Sequence, residues 1–221
     1  MESMILVLTP RECAGLLSGD LSVLVRKRFP KDYVGWVYIY VTRDRKILSF
    51  DSISKNGKTY YDGFNDKDFD FHFFTITKSD IKKGWGWFAS ERNLNGKVIA
   101  RFWCDKVEEI KWGLPNKLIF PKDMLENACL SGEELYKYLG EKGGYAIHIT
   151  KVDPFDKPKE ISGFYKVGYR KIVNTPNRVK NKNYLDEYLM AVKEYQLTRA
   201  PTTYCYIEVD AYPVNDPVND P

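Results

Sequence analysis

The stretch Gly19-Asp20-Leu21-Ser22-Val23-Leu24-Val25-Arg26-Lys27 sets the reading of the first third of the chain. Upstream of it, Pro10 opens a short helix carrying Ala14, Leu16 and Leu17. Gly19 is the expected terminator, since glycine enters the left-handed backbone that ends helices at little cost. From Ser22 to Arg28 the apolar and β-branched residues read as a strand closing on the cations Arg26, Lys27 and Arg28.

Working outward, Met4–Thr9 reads as a first strand, and Gly35–Thr42 as a central one behind the breakers Pro30 and Asp32. Three further segments alternate with the two-residue period of a strand. In Lys97–Val107, Val98, Ala100, Phe102 and Cys104 oppose Ile99, Arg101, Trp103 and Asp105. In Tyr145–Ile149, Tyr145, Ile147 and Ile149 oppose Ala146 and His148. In Tyr204–Val209, Cys205, Ile207 and Val209 oppose Tyr204, Tyr206 and Glu208. The polar members make Arg101, Trp103, His148 and the two tyrosines candidates for lining a groove.

Residues 46–94 read as an insertion rich in aromatics. It holds a hairpin signal, Ile47–Ser52 with an Asn56-Gly57 turn and Thr59–Tyr61, and the run Phe69-Asp70-Phe71-His72-Phe73-Phe74. It ends in Gly84-Trp85-Gly86-Trp87-Phe88 behind Lys82 and Lys83. Helices are expected after Ser131, an N-cap followed three residues on by Glu134 and carrying Leu135, Tyr136 and Leu139 to a stop at Gly140, and over Tyr184–Tyr195. The closing Val-Asn-Asp-Pro repeat, residues 214–221, offers nothing to bury, so 210–221 is expected to be a disordered tail.

A chain of 221 residues with 43% hydrophobic and 15% aromatic residues can bury one sizeable core, and its 29% charged residues can solvate the surface. The net charge of +4 permits nucleic acid without demanding it. No apolar run reaches the length of a membrane span, and Met4–Leu8 is too short for a signal-peptide core, so a cytoplasmic location is expected. The cysteines at 13, 104, 129 and 205 form no C-x-x-C pair, and the chain has 2 histidines. That argues for buried free thiols, with no metal and no cofactor.

Three segments in order carry a resemblance: Gly19–Lys27; Asn95-Gly96-Lys97-Val98-Ile99-Ala100-Arg101-Phe102; and Tyr138-Leu139-Gly140 through Gly144-Tyr145-Ala146-Ile147-His148-Ile149 to Phe155-Asp156-Lys157-Pro158. With the ending Pro201-Thr202-Thr203-Tyr204-Cys205-Tyr206-Ile207-Glu208, they resemble the ASCH family of the PUA-like superfamily from about Met4 to Glu208. Such proteins usually read Gly-x-Lys-Thr-x-Glu-x-Arg in the first segment. Gly19, the hydroxyl of Ser22 and Arg26 match that pattern. Leu21 stands in place of the lysine, and Leu24 in place of the glutamate or of the threonine found there in an amidohydrolase branch.

The resemblance implies an α+β fold: a single domain over 4–209 built on a PUA-like mixed β-barrel with peripheral helices. It implies recognition of nucleic acid, RNA or a modified base, in a cleft beside the barrel. Some family members deacylate modified cytidines with a lysine, a threonine and a glutamate. Leucine can neither supply nor activate a nucleophile, so binding without catalysis is the expectation here. Because similar family members are often carried by phages, a rival reading is an interaction protein that grips a host protein through the aromatic insertion.

The binding candidates are Ser22, Arg26, Lys27, Arg28, Trp85, Trp87, Arg101 and His148. Arg26-Lys27-Arg28 reads equally as a phosphate clamp or as a solvated strand end. Trp85 and Trp87 suit base stacking, or the small core of the insertion itself. His148 reads as a groove donor or as a half-exposed strand histidine. Glu108, Glu109, Asp153 and Asp156 read as surface charges.

Overall fold

The computed structural model describes residues 3–55, 69–113, 117–120, 123–168, 190 and 193–208. Strand β1 (Ser3–Leu8) lies inside the main sheet, parallel to β3 (Gly35–Val41) and antiparallel to β10 (Tyr204–Glu208). Helix α1 (Pro10–Leu17) and β2 (Val23–Arg26) connect β1 to β3. Two 16-residue strands, β6 (Val98–Gly113) and β8 (Gly144–Lys159), complete the frame, with short β7 (Lys117–Ile119) beside β6 and β9 (Tyr165–Lys166) beside β10. The order across the sheet is β2-β8-β6-β3-β1-β10-β9.

This is a mixed α+β arrangement, and among the described residues its strands do not close into the expected barrel. No ladder joins β2 to β9. The edge strands, β2 and β9, are 4 and 2 residues long. The β6–β8 ladder shifts register between Trp103 and Cys104 and again before Lys106, the kind of irregularity by which β-bulges bend a strand.

Alternation gives the sheet two apolar faces. Met4, Leu6 and Leu8 of β1, Val37, Ile39 and Val41 of β3, and Phe102 of β6 point one way, where Cys13 and Leu16 of α1 cover them. Burying a side chain such as Phe102 stabilises the fold by about 1.5–3 kcal/mol. On the other face Ile5, Tyr38 and Tyr40 meet Phe164, Leu197 and Ile207, while Val23, Val25 and Ala146 meet Met124 of α4 (Met124–Asn127) and Leu135 and Leu139 of α5 (Gly132–Leu139).

Both anticipated helix starts are built as capping boxes, Thr9 with Glu12 and Ser131 with Glu134. The α5 side chain Tyr136 is exposed and stacks on Trp112, so the buried face of that helix is Leu135 and Leu139 alone. Gly19 has φ +79°, as its role as terminator requires.

The expected hairpin is present with a different partner. β4 (Ile47–Ser54) pairs with β5 (Phe69–Ile76), the aromatic run itself, from Ile47↔Ile76 to Ser54↔Phe69. Leu48, Phe50, Phe71 and Phe73 lay one hairpin face on the main core, as aromatic residues favour in a half-buried strand. The Asn56-Gly57 turn, Thr59–Tyr61, Val209 and the 210–221 tail lie outside the described residues, as does most of Tyr184–Tyr195. Among the described residues no helix is long and apolar enough to cross a membrane.

Candidate nucleic-acid interface

Past β5 the chain enters a three-residue turn of helix, α2 (Lys78–Asp80), then a π-helical turn over Ile81–Trp85 and α3 (Gly86–Glu91). Thr77 caps the entry, and its hydroxyl and amide both bond the Asp80 carboxylate. Those bonds hold the Asp80 carboxyl below its usual range, so it is engaged within its own cap. Gly84, at φ +105°, breaks the helical path and turns the two indoles outward, a conformation open to glycine and costly to other residues.

This segment rests on the outer face of the β4–β5 hairpin. Ser49 Oγ donates to the Phe88 carbonyl at 3.2 Å, and Phe74 packs edge-on against Trp85 and Phe88. Trp87 meets Phe88 at 4.9 Å between centroids, and the Arg92 guanidinium lies 4.5 Å over the Trp87 ring. Arg92 is fixed in turn by Asp51, at 3.0 Å. Both indoles are thus anchored on one side, yet Trp85 is 47% and Trp87 52% exposed, with exposed Ile81 beside them. Lys78, Lys82 and Lys83 are exposed on the same segment, and none forms an ion pair among the described residues. Phe74, Trp85, Trp87 and Phe88 thus form one aromatic cluster on the hairpin, from which about half of each indole faces solvent.

The sequence candidates separate into three places. Ser22 to Arg28 and His148 meet along the β2–β8 ladder, where Val23 pairs with His148. Leu24 on that ladder and Leu21 just before it are buried in the main core. Ser22 uses its amide on the Asn127 carbonyl and its carbonyl on the Ile149 amide, each near 3.0 Å. Arg26 is engaged by three acceptors: Glu12 Oε1 at 2.6 Å and the carbonyls of Val25 and Val7. Lys27 and Arg28 are exposed, with Lys27 Nζ 5.2 Å over the Tyr138 ring.

His148 Nε2 lies 2.7 Å from Glu108 Oε2 without the alignment of a hydrogen bond, and Lys106 Nζ lies 2.7 Å from Glu108 Oε1. Lys106 and, less strongly, His148 hold the Glu108 carboxyl below its usual range. Arg101 stands elsewhere, on the outer face of the sheet, where its Nε donates to Asp153 at 2.8 Å and its guanidinium stacks 4.1 Å over Trp36. Glu108 and Asp153, which read as free surface charges, are the partners of two candidate residues, a pairing across strands that no local pattern reveals. Trp36 carries no such sequence signal, since a tryptophan in an apolar central strand reads as core.

Among the described residues no three His, Cys, Asp or Glu side chains come together so as to hold a metal ion. Cys13 and Cys104 are buried, Cys205 is half-buried and Cys129 is exposed, so burial holds for only part of the expected set of thiols.

No protein-family model and no curated protein matches the chain. Among solved structures it is similar to an ASCH protein from Zymomonas mobilis at 12% identity and a TM-score of 0.40, over 85% of this chain and 94% of that one. A point mutant of the same protein gives 12% identity and a TM-score of 0.41, over 86% and 98%. A likeness this distant carries no functional argument.

Proposed function

We propose that the chain is a non-catalytic nucleic-acid-binding module of the PUA-like, ASCH type, taking single-stranded RNA or a modified base through the Lys78–Trp87 surface. The observation that carries this reading is the pair Trp85 and Trp87, half-exposed on an anchored platform beside three exposed lysines that form no ion pair among the described residues. Indole faces stack on bases of any sequence, and ammonium groups neutralise the backbone that links them. A platform fixed by Phe74, Phe88 and Arg92 stacks without first having to order itself. The order of Gly19, Ser22 and Arg26 and of the later segments supports the family assignment. The burial of Leu21 and Leu24 supports binding without chemistry, because two core leucines occupy the family's reactive positions.

The test is fluorescence anisotropy of a labelled single-stranded RNA at rising salt. Affinity should fall linearly on logarithmic axes, by roughly 0.7 per phosphate contacted. Exposed Ile81 beside the indoles favours a second reading, a protein partner gripping an aromatic hot spot. Absence of RNA binding at low salt, with a salt-insensitive protein complex in its place, would favour that second reading.

A further inference from the structure

The outer face of β3, β6 and β8 carries two adjacent cross-strand rows. Trp36 pairs with Trp103 and Trp103 with Lys151; next to them Tyr38 pairs with Arg101 and Arg101 with Asp153. Residues two apart on a strand point to the same face, so these six side chains form one patch. It lies on the opposite side of the sheet from Val37 and Phe102, hence from the hairpin that bears Trp85 and Trp87.

The second row is closed to ligands. Arg101 is only 16% exposed, holds Asp153, and covers Trp36 at 4.1 Å. The first row ends on an exposed cation, Lys151, beside two partly buried tryptophans. Trp36 and Trp103 meet at 5.4 Å and 81°, a T-shaped contact that occupies at most one face of one ring. Arg101 and Lys151 both lie over Trp36, which leaves at least one face of partly buried Trp103 unoccupied by these neighbours. Lys151 is exposed and forms no ion pair among the described residues.

From this arrangement we infer a second binding site on the sheet, which takes one nucleotide of a single-stranded RNA with its base stacked on Trp103 and its phosphate at Lys151. The charge matches: within the patch the one carboxylate, Asp153, is consumed by Arg101, and the free charge is a cation. The geometry matches as well, because a strand face presenting an aromatic ring and a neighbouring cation is how sheet-borne RNA modules receive an unstacked base. The inference rests on the nucleic-acid reading above, and it adds that the strand is held at two places on opposite sides of the sheet.

The experiment is a titration of the 15N-labelled protein with hexauridylate, following the indole N–H signals of Trp36, Trp85, Trp87, Trp103 and Trp112, each assigned by single substitution. The expected result is that the Trp103 and Trp36 signals shift, and that they still shift in the Trp85→Ala/Trp87→Ala double variant. Trp103→Ala should weaken binding about tenfold. Lys151→Gln should lower the salt slope by about 1. Should Trp103→Ala fail to fold, Lys151→Gln carries the test, since its side chain is exposed. Shifts confined to Trp85 and Trp87, with Lys151→Gln binding as wild type, overturn this site while leaving the proposed function standing. No shift at any indole overturns both.

Discussion

Glu12 Oε1 lies 2.6 Å from Arg26 Nη1, while Oε2 of the same carboxylate receives the Thr9 amide at 2.8 Å. One side chain therefore caps α1 and ties it to β2. Arg26 adds bonds to the Val25 and Val7 carbonyls and is 11% exposed, which makes it a fastener of three elements in this conformation. Arg26→Ala should destabilise the fold by about 1.5–3 kcal/mol, the range for hydrogen bonds to a charged group. Lys27→Ala and Arg28→Ala should each stay within about 0.5 kcal/mol. Urea denaturation of the three variants checks this, and equal midpoints would refute the assignment of Arg26.

The thiols should separate by reactivity. Burial pushes Cys13 well up and Cys104 up to about 12, and raises Cys205 as well, whereas Cys129 is exposed. The thiolate is the reacting form. Brief treatment of the native protein with iodoacetamide at neutral pH should therefore modify Cys129 first, and peptide mapping reads the order. The raised Cys104 value also fixes a sign. An unfolded thiol loses its proton near 9 while the folded one keeps it, so this contribution is complete below pH 9 and is lost as pH climbs towards 12. Cys104→Ala should flatten that part of the alkaline limb in a series of thermal melts.

Gly143 stands where the backbone enters β8 at φ +68°, and a Cβ there would collide with the Ile110 carbonyl oxygen. The left-handed backbone alone costs a non-glycine residue about 1–3 kcal/mol. The collision adds to this because it is with backbone of the adjacent β6 and not with a movable side chain. Gly143→Ala should therefore lower the melting temperature more than Gly140→Ala, whose added Cβ meets nothing within 4 Å. Similar melts for the two would show that β6 and β8 yield there.

Local signals were legible wherever one residue decides the geometry. Pro10 and Ser131 with Glu134 marked helix starts, Gly19 a stop, and the β-branched and aromatic run Gly35–Thr42 the central strand β3. What could not be read was pairing between distant residues. The aromatic run looked self-contained, yet its partner is Ile47–Ser54, chosen because Phe50, Phe71 and Phe73 together cover the core. Arg26 and Arg101 looked like free cations because Glu12 is 14 residues and Asp153 52 residues away. The candidate interface draws on neighbours in sequence, since Gly84 and the two tryptophans sit within a few residues of one another.

Trp85 and Trp87 allow the sharpest separation of function from stability. Each keeps about half its surface in solvent, and the contacts beneath them, Phe74 against Phe88 and Ser49 to the Phe88 carbonyl, do not pass through either indole. Trp85→Ala/Trp87→Ala should accordingly weaken binding by about 1–3 kcal/mol per stacked base. The melting temperature should stay close to that of the wild type. Anisotropy and thermal melts on the same preparations check both halves together. Loss of the Trp87 ring also bares Arg92, which remains held by Asp51 and by the Phe50 carbonyl at 3.3 Å, so the hairpin keeps its clasp. If the double variant instead melts far lower while each folded molecule binds RNA as before, the indoles are structural and the proposed interface is wrong.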